Sequence, residues 1–287
     1  MTTQRRDDEE EDHYDPNEAL TEVMIWVVAP IVACFAAEVL YRDPLHQMTM
    51  DNVPQQQEDW QGTGTETLLK YVAIFGSFKA LFVYLIICFN ILEKPNALYL
   101  ISSMAFIYAA CHNIKSAYKE ERPYLIDQEI QSTECDTGFA NPSSVICLNM
   151  FFWTALYLQV FFPHAGTRDE DRGIIRILGI FFCSVLVISF IVLLMLSRVY
   201  VGVNAWNDVV FGATLGGVLG HIGNYWYYPY CLDYSEKRIQ EAEAGNDPYI
   251  HVSFFDYGKT IVFTAALPMF VTMTVFNSHK GEIDWEF

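Results

Sequence analysis

Apolar positions along the chain come in long blocks rather than in an amphipathic period. Seven blocks approach the roughly 20 apolar residues that a helix needs to cross a bilayer core. They are Leu20–Tyr41, Tyr71–Leu92, Ala97–Lys115, Pro142–Phe162, Ile177–Ser197, Asp208–Tyr228 and Thr260–Asn277. The stretch Leu178–Leu196 is apolar on every face, which a helix in water rarely tolerates. Tyr41, Trp206 and the Trp226–Tyr228 run stand at block ends, as an interfacial aromatic belt does. The pattern predicts an all-α, multi-spanning transmembrane helix bundle of about seven helices. Gly212, Gly216 and Gly220 recur every four residues and predict a helix face for close packing. Lys79 stands inside the second block, where it is expected to snorkel or to pair with an acid in the bundle.

The polar segments divide the chain. Residues 1–19 read as an acidic solvated tail, with eight Asp and Glu against Arg5 and Arg6. That composition fits neither a secretory signal peptide nor an Arg-rich transit peptide, and it offers a contact surface for a partner. Residues 20–67 are expected to hold the first transmembrane helix and a connecting loop, and residues 68–228 the main membrane domain. Residues 229–287 supply an acidic loop, a seventh helix and a C-terminal tail. Lys and Arg count nine in the loops on the N-terminal side and seven on the other. The bias places the N-terminus on the cytoplasmic or matrix side. The organelle, endomembrane or mitochondrial inner membrane, is not legible.

Composition narrows the class further. Of 287 residues 52% are hydrophobic and 18% charged, which excludes a disordered chain. Lys plus Arg total 17 against 35 Asp plus Glu, a net charge of −18. Nucleic acid is therefore excluded as a partner, since phosphates need clustered cations. Membrane lipids and other membrane protein subunits are the expected partners. Five of the seven cysteines lie in apolar blocks, and Cys135 and Cys231 lie in loops on opposite sides, which argues against a disulfide. No CxxC pair occurs, so neither a zinc site nor any other cofactor is expected.

Three pieces on one membrane face carry candidate chemistry. The first is Lys115–Pro123, with six residues between Lys115 and Arg122. The second is Asn141-Pro142-Ser143-Ser144-Val145, which opens the fourth block. The third runs from Ser197-Arg198 through Asn204 to Asp208. A Lys point charge and an Arg fork together suit a phosphoryl group, and a Ser opening a helix adds a hydroxyl and exposed N–H groups.

These pieces resemble the type-2 phosphatidic acid phosphatase, or lipid phosphate phosphatase, family. Its motifs read Lys-x6-Arg-Pro, then Pro-Ser-Gly-His, then Ser-Arg-x5-His-x3-Asp. The first is matched fully by Lys115, Arg122 and Pro123. The third is matched by Ser197, Arg198 and Asp208. The resemblance spans roughly residues 68–228 and implies a six-helix lipid phosphatase core. It also implies phosphate or headgroup binding by Lys115, Arg122, Ser143 and Arg198. In the family the third-motif His is the nucleophile, the second-motif His protonates the leaving alcohol and the Asp orients the nucleophile. Here Asn204 stands at the nucleophile position and Val145 at the acid position.

Neither side chain can do the work. An amide nitrogen has a delocalised lone pair, Val carries no proton to give, and imidazole does both tasks near neutral pH. Losing one member of such a set costs on the order of 10⁴ to 10⁶ in rate. The expectation is a pseudoenzyme that keeps the anion-binding half, with Asn204 bonded to Asp208 as a loop support. The retained cations are expected to hold a phosphate or headgroup, or acids such as Asp136 and Asp208, or to tie the loops together. Among the histidines, His112 stands three residues before Lys115 and is the candidate substitute for an active phosphatase. His221 lies about 20 Å down the sixth helix from Asp208, too deep to take part.

Overall fold

The computed structural model describes residues 21–22, 24–132, 138–161, 174–229 and 231–233, and the single positions 237 and 240. The acidic tail, the loop residues Cys135 and Asp136 and the seventh apolar block lie outside the described residues. So does most of the acidic loop after residue 229.

The described residues are helical, with no strand among them. A π-helical turn, Met24–Val28, leads into α1 (Ala29–Trp60). There follow α2 (Gly64–Gly76), α3 (Phe78–Ile91), α4 (Lys94–Tyr118), a single turn α5 (Pro123–Ile126), α6 (Ser144–Phe161), α7 (Ile174–Tyr200) and α8 (Trp206–Ile222). A second π-helical turn, Gly223–Tyr227, continues α8. Among the described residues, four stretches are long and apolar enough to cross a membrane, and α2 with α3 makes a fifth if the bent pair is one span. Outward faces such as Phe181, Phe182, Leu186 and Ile188 on α7 are exposed, as lipid-facing positions are.

The first helix is longer than its apolar block. Hydropathy ends at Tyr41, and residues up to 67 read as a loop; the helix instead runs on to Trp60. One helical stripe faces the bundle through both its apolar and its polar half. Cys34, Glu38, Thr49 and Val53 are all buried, at steps of 4, 11 and 4 residues, each close to a whole number of helical turns. At 32 residues and 1.5 Å per residue, α1 is about 48 Å long, well beyond the bilayer core.

The second block, Tyr71–Leu92, is not one straight helix. It bends by 51° between α2 and α3. Ser77 is extended there, and its hydroxyl accepts from the Ala80 N–H at 3.3 Å, capping α3. Gly76 lies flush on Leu194, with no room for a Cβ. The break frees the Gly76 carbonyl, and Asn149 of α6 donates its Nδ2 to it at 2.7 Å. A broken helix inside a membrane is tolerated only when a neighbour satisfies the freed backbone in this way. Lys79 is exposed just past the bend.

Helices α6 and α8 form the most intimate pair, and the glycine stripe explains it. A Cβ on Gly212 would stand 2.7 Å from the Ser143 carbonyl oxygen, and one on Gly216 would fall on that of Cys147. The glycines thus allow backbone against backbone, and the Ser143 N–H donates to the Asp208 carbonyl at 3.0 Å. Cys231, read as a loop residue, is buried with Tyr99 and Tyr228 in the core, and the described cysteines are free thiols.

Candidate anion site

The ends of α4, α6, α7 and α8 meet on one side of the bundle and bring the three sequence pieces together. Lys115 lies in the last turn of α4, which Lys119 ends in the left-handed region (φ 51°). Arg122 precedes α5 and is 1% exposed. Its guanidinium donates to three backbone carbonyls: Nε to Gly138 at 2.6 Å, Nη1 to Val203 at 2.7 Å and Nη2 to Phe139 at 3.4 Å. The Lys115 ammonium donates to the Phe139 carbonyl at 3.0 Å. Arg198 is buried in the last turn of α7. Carbonyl dipoles of the neighbouring loops therefore meet the buried Lys115 and Arg122 cations.

Asn204 is locked from both ends. The Ser143 hydroxyl donates to its Oδ1 at 3.2 Å, and its Nδ2 donates to the Ala140 carbonyl at 3.2 Å and to Asp208 Oδ2 at 3.4 Å. Asp208, fully buried, caps α8 by accepting the Ala205 N–H at 2.8 Å, as an acid in the first turn does. The expected Asn204–Asp208 bond is thus present as one strand of a wider lattice. Val145 is buried in the first turn of α6, and its carbonyl accepts from Asn149 Nδ2 at 2.8 Å.

The structure does not place His112 with Lys115. Positions 111 and 115, four apart, share the buried face, while His112 is exposed and lies edge-on to Tyr108, with centroids 4.4 Å apart. Three residues turn a helix by about 300°, which carries His112 to the outer side. His46, which motif spacing offers no reason to choose, comes to the site instead. Its Nδ1 lies 3.4 Å from Glu120 Oε1. His221 lines an apolar cavity of about 930 Å³ with Met150, Ile188 and Val218, remote from the cations.

A second set of residues, carried largely by α1, was also hidden in the sequence. Glu38 is fully buried inside an apolar block. Arg42 holds it with two bonds, Nε to Oε1 at 2.6 Å and Nη2 to Oε2 at 2.9 Å, the bidentate geometry that makes such pairs strong. The Tyr118 hydroxyl donates to Glu38 Oε2 at 3.1 Å, and Arg42 covers the Tyr118 ring at 4.4 Å. Asn141 Nδ2 bridges two carboxylates, Glu38 at 3.0 Å and Glu120 at 2.9 Å. Asn207 Nδ2 bridges Glu120 at 2.6 Å and Asp208 at 3.1 Å. Thr49 Oγ1 accepts the Trp206 N–H at 2.9 Å, and Gln57 donates to the Gln131 and Tyr200 carbonyls at 2.8 and 2.6 Å. Helix α1 is thus a strut bonded to each site loop, through Glu38 in its apolar half and through Thr49 and Gln57 in its polar half. The only trace in the sequence is the three- and four-residue spacing of Glu38, Arg42, His46, Thr49 and Val53.

Comparison with known proteins gives one family match and two structural likenesses. Residues 96–230 match the family model described as PAP2 superfamily. A crystal structure of a transmembrane PAP2-type phosphatidylglycerolphosphate phosphatase from Bacillus subtilis superposes with a TM-score of 0.55. It is 16% identical, and the match covers 69% of this chain and 94% of that one. Aquifex aeolicus LpxE is 18% identical over 60% of this chain and 93% of its own, with a TM-score of 0.45. No curated protein sequence matches the chain.

Proposed function

We propose that this chain, whose residues 96–230 match the PAP2 superfamily model, is an integral membrane protein of the lipid phosphatase fold that has lost hydrolysis. It binds an anionic phosphoryl headgroup and serves as an interaction subunit of a membrane assembly. The observation that carries this reading is the state of Asn204. Its amide is committed to Ser143, Ala140 and Asp208, so the nucleophile position holds a structural cross-link. Val145, at the leaving-group acid position, has no proton to transfer.

The anion-binding half supports the binding part. Lys115, Arg122, Ser143 and Arg198 are all buried, and buried cations in or near a membrane are costly to keep without purpose. Hydrolysis through His112 is the competing reading, and the exposure of that side chain on the outer face speaks against it.

The test is a phosphate-release assay of the purified full chain on phosphatidic acid, other lipid phosphates and sugar phosphates. An Asn204→His/Val145→His double variant is measured beside it. The expected result is no turnover by the chain itself. Turnover that depends on enzyme concentration overturns the inactive reading, and its loss in His112→Ala or His46→Ala identifies the substitute group.

A further inference from the structure

Glu120 is surrounded as a bound anion is. Its carboxylate receives Asn141 Nδ2 at 2.9 Å from the loop before α6 and Asn207 Nδ2 at 2.6 Å from α8, and it lies 3.4 Å from His46 Nδ1 of α1. Three nitrogens from three separate elements converge on one pair of oxygens. Asn141 and Asn207 are fully buried, whereas the Glu120 and His46 side chains are 16% and 27% exposed. The floor of this cradle is therefore fixed and its mouth is open. Glu120 itself sits on the short linker between α4 and α5, next to the left-handed Lys119.

Glu120 does not complete the cradle. The Oδ1 atoms of both Asn141 and Asn207 are buried and lack a hydrogen-bond partner among the described residues. Their amide orientation is fixed, because each Nδ2 faces two carboxylates. An ionised carboxylate is an acceptor only, so it can never serve these two oxygens. A phosphate monoester has oxygens that can accept from the two Nδ2 groups, and one that carries a proton or a neighbouring hydroxyl also brings a donor, which a carboxylate lacks. An unmade hydrogen bond on a buried polar group is costly, and the ligand removes that cost.

We propose that the Asn141–Asn207–His46 cradle is an oxyanion subsite, that Glu120 fills it as an internal ligand, and that a hydroxyl-bearing phosphoryl headgroup binds by displacing Glu120. The proposal rests on the anion-binding part of the function proposed above. It adds the subsite, the competing group and the ligand chemistry.

The experiment uses the full chain in phosphatidylcholine nanodiscs, with calorimetric titration of inorganic phosphate and glycerol 3-phosphate. A third arm incorporates phosphatidic acid in the disc and reads thermal stabilisation. Glu120→Ala is expected to bind glycerol 3-phosphate about tenfold tighter than the unaltered chain, the equivalent of removing one competing contact. Inorganic phosphate should gain less, and Glu121→Gln, a neighbouring exposed charge, should change neither. A gain confined to the phosphatidic acid arm assigns the site to a lipid, and a gain with the soluble probes assigns it to free phosphate esters. Equal affinity of Glu120→Ala and the unaltered chain overturns the proposal, as does an equal gain in Glu121→Gln or the absence of binding by every form. If Glu120→Ala does not fold, Glu120→Asp takes its place: it keeps the charge but withdraws the carboxylate, and no gain there also overturns the proposal. Phosphate release in the separate turnover assay would reject the inactive reading without altering this order of affinities.

Discussion

Two adjacent glycines on α8 should respond to alanine with opposite signs. A Cβ on Gly216 would fall on the Cys147 carbonyl oxygen and stand 3.0 and 3.1 Å from the carbonyl carbon and Cα of that residue. All three are backbone atoms of α6, which cannot swing aside. A Cβ on Gly217 would meet the Met150 Cε at 3.3 Å, the far end of a flexible side chain. Alanine in place of glycine gains about 1 kcal/mol of helix propensity at either position. Overpacking against an unyielding neighbour costs about 1–3 kcal/mol, and the backbone contact at Gly216 belongs at the upper end. Gly216→Ala should therefore lose ~2 kcal/mol net, and Gly217→Ala should be neutral or gain up to ~1 kcal/mol. Thermal unfolding in detergent reads this as a Tm about 4–8 °C lower for the first variant and unchanged or a few degrees higher for the second. The site should report the same event, because separating α8 from α6 stretches the Ser143–Asp208 backbone bond. A Gly216→Ala protein as stable as the unaltered chain, or an equal loss in Gly217→Ala, would refute the flush packing of α6 on α8.

Three other substitutions test the hidden supports by the same unfolding measurement. Asn149→Leu fills similar space but leaves the Gly76 carbonyl at the helix break without its donor, a loss of about 1–3 kcal/mol. Glu38→Ala removes the acid that Arg42, Tyr118 and Asn141 share. Its cost should be ~3 kcal/mol, the low end for breaking a buried pair, because Arg42 is 35% exposed; a loss below 1 kcal/mol would show that α1 is not anchored there. Thr49→Val deletes the hydroxyl that caps the Trp206 N–H and should cost about 1 kcal/mol, with Thr49→Ser restoring most of it.

The membrane makes part of this protein readable from its sequence. A bilayer demands contiguous apolar residues and internally satisfied backbone, so the blocks that became α4, α6, α7 and α8 stand out. Motif spacing placed Lys115, Arg122, Ser143, Arg198, Asn204 and Asp208 at helix ends on one side. The glycine stripe announced its own helix face, because a four-residue period is local information. Tertiary structure decided what depends on distant partners. The bend at Ser77 exists because Leu194 and Asn149 meet Gly76 from other helices. Glu38 reads as a lone acid in an apolar block until Asn141, 103 residues away, bonds to it. His112 and His46 exchange relevance because a helix presents one face inward, and only packing selects which. The polar half of α1 reads as a loop by hydropathy. Its bonds to Trp206, Gln131 and Tyr200 turn it into a strut that braces the candidate site, since a hydrogen bond depends on where two groups stand in space and not on their separation along the chain.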